Sequence, residues 1–137
     1  MLFFPGMKPY CSSRRGFTLV EIMIVVAIIA LLAAIAVPGF LRARKKSQAT
    51  RILNDLRSID SAVDQYAIEN NKSSGFQVNV PDWSKYLKVG SLLYISGQDI
   101  LGHDYSAVNV DSLPIVPSAS KTALSDVTDN AFWSPYN

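Results

Sequence analysis

The hydrophobic pattern of the chain changes character twice. From Ile22 to Val37 sixteen consecutive positions are apolar, and between Phe17 and Pro38 only Thr18 and Glu21 are polar. Such a run has no polar face to offer water, so as a helix it belongs in lipid or among other apolar helices. Rising 1.5 Å per residue, residues 17–37 reach about 31 Å, the thickness of a bilayer core of about 30 Å. Pro38-Gly39 is predicted to interrupt or kink the helix, because proline removes a backbone hydrogen bond and clashes with the preceding turn.

Beyond Gly39 the pattern becomes periodic. Ala49, Ile52, Leu56, Ile59, Val63 and Tyr66 recur at alternating spacings of three and four, one stripe of an amphipathic helix, while Gln48, Asn54, Asp55 and Ser58 fall off it. The polar cluster Asn70-Asn71-Lys72-Ser73-Ser74-Gly75 should end it. A single helix from Phe17 to Asn70, bent near Pro38, would be about 80 Å long.

The remaining residues alternate over shorter stretches. Phe76, Val78 and Val80 predict a strand closed by Pro81, after which Asp82 caps a turn presenting Trp83, Tyr86 and Leu87. Residues 91–110 predict a strand, a glycine-bounded turn and a second strand at Tyr105 to Val110. Pro114 and Pro117 mark an irregular connector, Ala119 to Val127 a short helix, and Phe132 to Tyr136 an aromatic cluster that docks on the core. Residues 76–137 are too few for an independent core, so they must pack on the amphipathic helix.

Composition sharpens this picture at three points. A chain of 137 residues holds one domain plus extra segments, which disfavours a two-domain enzyme. The net charge of +2 conceals a basic stem, +5 from Arg42 to Arg57, and an acidic remainder, −5 from Ser58 onward. Cys11, the sole cysteine, precedes the apolar run, so neither an intrachain disulfide nor a thiolate metal cluster can form, and lipidation would need a cysteine after the run instead.

The apolar run admits three readings. Lys8, Arg14 and Arg15 ahead of it, with small residues at Ala34-Ile35-Ala36, fit a removable secretory signal cut after Ala36. Ser13-Arg14-Arg15-Gly16-Phe17 also fits a twin-arginine signal, although nothing downstream looks able to hold a cofactor. Neither reading uses Glu21, and a carboxylate is a burden in an apolar segment. The third reading does: Gly16-Phe17-Thr18-Leu19-Val20-Glu21, preceded by Arg14-Arg15 and followed by the run and Pro38, resembles the prepilin signature of type IV pilins and type II secretion pseudopilins. This third reading is the one preferred.

The resemblance implies a cytoplasmic leader, 1–16, removed by a prepilin peptidase after Gly16; N-methylation of the new terminus at Phe17; and Glu21 as the acid that neutralises that amine on a neighbouring subunit. It also matches Pro38 to the family's helix proline. Residues 17 and 21 are an i, i+4 pair on one helix face, so before assembly the carboxylate can also meet its own amine. The implied fold is α+β, a pilin-like lollipop. Its long N-terminal helix, a transmembrane and filament-core half (17–41) continued by an amphipathic half (42–72), packs against a small antiparallel β-sheet head (73–137). The implied partners are further copies or other pilins in a mixed filament, the peptidase and methylase, an assembly ATPase and a platform protein. The implied location is the bacterial inner membrane, single-pass with the N-terminus cytoplasmic and the head periplasmic, and then a pilus or pseudopilus.

The other candidate chemistry is sparse. Arg42-Ala43-Arg44-Lys45-Lys46 suits nucleic acid or anionic lipid, or headgroup-facing charges that meet acidic heads of neighbouring subunits; without interleaved aromatics or a nucleic-acid fold the second is preferred and nucleic acid disfavoured. Four basic residues here against three in the leader leave the orientation to the family resemblance, because the positive-inside count does not give it. His103 is the sole histidine, with no cysteine or serine motif beside it in sequence, so it is expected to be a turn residue and no enzyme is expected. Asp99, Asp104, Asp111, Asp126 and Asp129 could ligate calcium as in the heads of major pseudopilins, but they lack a compact calcium loop, and solvated acids and no cofactor are the default. The segment Asp99 to Tyr105 loosely resembles the turn-and-strand segment of those heads, without the tryptophan that often precedes its glycine. Exported binding proteins or enzymes with a removable signal, and DNA-uptake filament subunits, are the alternatives.

Overall fold

The computed structural model describes residues 16–137; residues 1–15, with Lys8, Cys11, Arg14 and Arg15 and all but the last residue of the expected leader, lie outside the described residues. The fold is α+β: one long N-terminal helix and a small two-stranded antiparallel sheet with four short α-helices and a 3-10 turn at Ser84–Tyr86. The chain divides into two units at Val37 and Pro38.

Helix α1 runs Leu19–Glu69, with Pro38 inside it and no break in helical structure there. It begins at a reciprocal cap. The Glu21 amide donates to Thr18 Oγ1 at 3.2 Å, and the Thr18 amide donates back to Glu21 Oε2 at 2.8 Å, satisfying two of the amides that open every helix. It ends where the sequence turns polar. Asn71 takes a left-handed φ of 53°, and the Lys72 amide reaches back to the Ala67 carbonyl at 2.9 Å, closing the last turn without glycine.

Within the unit Pro38–Asn137, the periodic stripe of α1 is the floor of the core. Ala49, Ile52, Leu56, Ile59 and Val63 are buried as predicted, joined by Ala62 and Ala67, while Tyr66 stays half-buried. Above them pack Val78, Trp83, Val108, Leu124 and Trp133. Strand β1 (Gln77–Val78) pairs antiparallel with β2 (Val108–Asn109), Gln77 opposite Asn109 and Val78 opposite Val108, so two buried valines meet on the core face.

Several predicted elements are shorter or different. The first strand stops at Val78 because Asn79, in extended conformation, is the N-cap of α2 (Val80–Trp83), and Pro81 sits in its first turn, where its fixed φ suits a helix. Asp82 is therefore inside α2 and caps nothing. The strand predicted to open residues 91–110 is helix α3 (Leu92–Ser96). Ser91 Oγ accepts from the Tyr94 amide at 3.1 Å, and Gly97 closes the helix at φ 66°, so two caps override the β-branched and aromatic pattern. The second predicted strand shrinks to β2 because its start serves a loop: the Tyr105 amide bonds the Gly97 carbonyl at 3.1 Å. Asp111, at φ 64°, turns the chain away at its end. The predicted helix at 119–127 is α4 (Ser118–Ala123). Helix α5 (Asn130–Trp133) is capped by Asp129, which accepts from the Phe132 amide at 2.8 Å, and it delivers Trp133 and Tyr136 to the core as expected.

Candidate functional site

Two regions hold the residues singled out by sequence. The first is the start of α1. Gly16 and Phe17 are exposed and precede the helix, and Glu21 lies in its first turn. Both Thr18 donors, amide and hydroxyl, meet Glu21 Oε2 at 2.8 Å. In the uncleaved chain the Phe17 nitrogen is a peptide amide, so the local partner of Glu21 is Thr18, a role that the sequence reading did not assign to Thr18 although Thr-x-x-Glu is a capping signature. Nothing lies within 4 Å of where a Gly16 side chain would start.

The rest of this region is an apolar surface. Every large side chain from Leu19 to Leu41 is about half exposed or more, the lowest being Ile22 and Leu41 at 49 %. Among the described residues α1 is the one helix long and apolar enough to cross a membrane. So much bare apolar area on a water-soluble surface would be anomalous, and it marks an interface with lipid or protein.

The second region is the loop between α3 and β2. Asp99 is buried, and its Oδ1 accepts from the Leu101 and His103 amides at 2.8 and 2.9 Å. Its Oδ2 accepts from the hydroxyl of Ser120, a fully buried residue of α4 that also sits 2.7 Å from His103 Nδ1. Sequence reasoning found no serine beside His103 because Ser120 is seventeen positions away. The result is a structural knot: the serine is inaccessible and hydrogen-bonded on both sides, so it has no open face for a nucleophile to use. The expectation that His103 is a turn residue stands, with the addition that its ring ties the turn to α4.

The acids named for calcium are dispersed by other bonds. Asp104 accepts from Gln98 Nε2 at 2.9 Å, Asp126 pairs with Lys45 Nζ at 2.7 Å, and Asp129 caps α5. That lysine, by hydrogen bond and charge, holds the Asp126 carboxyl below the usual carboxylate range. Among the described residues no group of three or more His, Cys, Asp or Glu side chains is arranged to hold a metal.

One polar contact at the heart of the fold stood outside the sequence reading. The Tyr105 hydroxyl is buried without a hydrogen bond of good geometry, and Asp55 of α1 lies beside it. Burial, then the Asp55 charge, pushes that hydroxyl far up, and burial raises the Asp55 carboxyl against the opposing charge of Arg51.

A family model described as the prokaryotic N-terminal methylation motif matches residues 11–37. The chain is similar to the type II secretion system core protein G of Klebsiella michiganensis, 31 % identical over 107 residues that span 72 % of this chain and 75 % of that one. It is also similar to the type IV major fimbrial protein FimA of Dichelobacter nodosus, 33 % identical over 96 residues (70 % and 56 %), and to the type IV major alpha-pilin of Moraxella bovis, 47 % identical over 58 residues (42 % and 36 %). No solved structure matches it.

Proposed function

The chain belongs to the type IV pilin and type II secretion pseudopilin family, whose members are structural filament subunits, and within it we propose that the filament it builds is the pseudopilus of type II secretion. The observation behind that choice is the reach of the similarity. Likeness to core protein G spans 75 % of that relative, against 56 % of FimA and 36 % of the alpha-pilin.

In this reading the leader 1–16 is removed after Gly16 by a prepilin peptidase, Phe17 is methylated, and residues 17–41 anchor the subunit in the inner membrane with the head, 73–137, on the periplasmic side. Residues 42–72 continue the helix beneath the head. An assembly ATPase and a platform protein drive extraction. Stacking then exchanges lipid for neighbouring helices along the exposed apolar surface of α1. Cleavage frees the Phe17 amine, and Glu21 exchanges its Thr18 cap for that amine on a neighbour, since a buried carboxylate is tolerated only when paired. The subunit acts without a cofactor, as a part of the filament and not as an enzyme.

The test is the mass and N-terminal sequence of the protein recovered from sheared filaments of its native host, together with secretion by a strain lacking it. A methylated Phe17 terminus and loss of secretion are expected. A terminus at Val37 on a monomeric soluble head would overturn the filament role, and normal secretion with lost surface pili would move the chain to the pilus branch.

A further inference from the structure

The core face of α1 continues toward the N-terminus beyond the last residue that the head covers. Ala49 is the first buried side chain of the helix. Counting about 100° per residue back from Ile52, Lys45, Leu41 and Pro38 fall within roughly 40° of the same line, and Arg42 and Arg44 roughly 80° to either side of it. Together with Asp126, which the segment after α4 contributes, these five residues wall a cavity of about 400 Å³.

The cavity is graded along the helix. Its apolar end, Pro38 and the exposed Leu41, follows directly in sequence the run that ends at Val37. Its other end holds three cations, Arg42, Arg44 and Lys45, against one carboxylate, Asp126. Lys45 Nζ meets Asp126 Oδ2 at 2.7 Å, but the two side chains stay 42 % and 53 % exposed, so a competing anion can reach the pair. After the Lys45 hydrogen bond and charge, the Arg42 charge also lowers the Asp126 carboxyl, so Arg42 acts on the same space. Among the described residues neither arginine has an ion pair. An apolar wall followed by surplus positive charge matches an acyl chain followed by a phosphate, and the volume is that of a small-ligand site.

We propose that this cavity holds the headgroup phosphate of an anionic phospholipid, with Arg42 and Arg44 as its charge partners and Lys45 shared between the phosphate and Asp126. The inference rests on the reading above that residues 17–41 lie in a membrane. The glycerol and first acyl carbons of such a lipid run along Leu41 and Pro38. The subunit then meets the bilayer surface through a shaped site as well as through its apolar helix. Asp126 limits the affinity, because it engages Lys45 in the empty site and repels the incoming phosphate.

The test is lipid retention by the full chain in a neutral detergent, counted by native mass spectrometry. Phosphatidylglycerol should be retained roughly tenfold or more over phosphatidylcholine, at about fivefold for each of the two unpaired cations. Arg42→Gln should cut that preference roughly fivefold. Lys46→Gln removes the same charge from an exposed residue roughly 120° off the cavity line, and should leave the preference unchanged. Asp126→Asn should raise retention of phosphatidylglycerol, a gain that misfolding cannot produce. Equal retention of the two lipids, or equal losses from Arg42→Gln and Lys46→Gln, would overturn the site and leave only diffuse attraction. Displacement of phosphatidylglycerol by an equal concentration of glycerol phosphate would assign the cavity to a free phosphate and overturn the lipid. Flotation with phosphatidylcholine vesicles tests the membrane reading separately: a chain that floats keeps that reading whatever the cavity does, and one that floats with neither lipid loses the reading and the site together.

Discussion

Helix α1 is one continuous helix with two opposite relations to its surroundings. In its stem half Ile52, Leu56 and Ile59 are completely buried by side chains of the same chain. In its first half Ile24, Ile28, Leu31 and Ile35 are all more than half exposed, although these residues are at least as apolar. Both halves are α-helical, so the difference lies in packing. The stem stripe recurs at helical spacing and leaves a polar face for water, whereas the first half is apolar all round and can be covered only by lipid or other subunits. Fold stability and assembly are thereby assigned to different stretches of one element, and substitutions should separate them.

The largest expected effect belongs to assembly. Glu21→Ala should leave membrane insertion, processing and head stability intact while lowering filament yield roughly tenfold or more through the unpaired amine it leaves; unchanged yield would remove Glu21 from the assembly site. The stem half should respond in the opposite sense. Leu56→Ala opens a cavity in the core and should cost about 2–5 kcal/mol of head stability, measured by thermal or denaturant unfolding in detergent, whereas Ile28→Ala should leave that unfolding untouched.

Smaller effects sharpen the boundary within the head. Ser120→Ala strips buried Asp99 of a donor and His103 of its partner, and should cost about 1–3 kcal/mol without altering filament architecture. Asp55→Asn should act with the opposite sign. Because burial raises its carboxyl in the folded state, folding favours the protonated form; that contribution is full below the ordinary carboxylate range and lost as pH rises through the raised value. The asparagine variant should therefore melt higher than the parent at pH 7, with the gap closing toward pH 4. Lys45→Ala removes an exposed ion pair with Asp126 and should leave the melting temperature nearly unchanged, since such pairs contribute little.

What could be read along the chain was whatever depends on one helix period or on a contiguous motif. The unbroken apolar run, the stem stripe and the Gly16 to Glu21 signature are of this kind, because 3.6 residues per turn converts spacing directly into a face. The polar stop after Glu69 and the docking of Trp133 and Tyr136 were legible for the same local reasons.

Elements decided by competition between neighbours were not. The stretch Leu92 to Ser96 reads as a short apolar strand, but Ser91 and Gly97 cap it into a helix. That glycine is doubly constrained: its φ is positive, and a side chain there would stand 2.6 Å from Val80 Cγ1 of α2. Likewise, Asp99, His103 and Ser120 meet only once the loop after α3 folds back on α4, and Asp55 reaches Tyr105 only when the head closes on the stem. Sequence by itself therefore determined the membrane-length helix, its amphipathic continuation and the Gly16 to Glu21 signature, since each is written in residues within a few turns of one another. Tertiary structure alone decided which polar groups were buried together, because that choice depends on burial and hydrogen bonding between segments whose separation along the chain leaves no periodic trace.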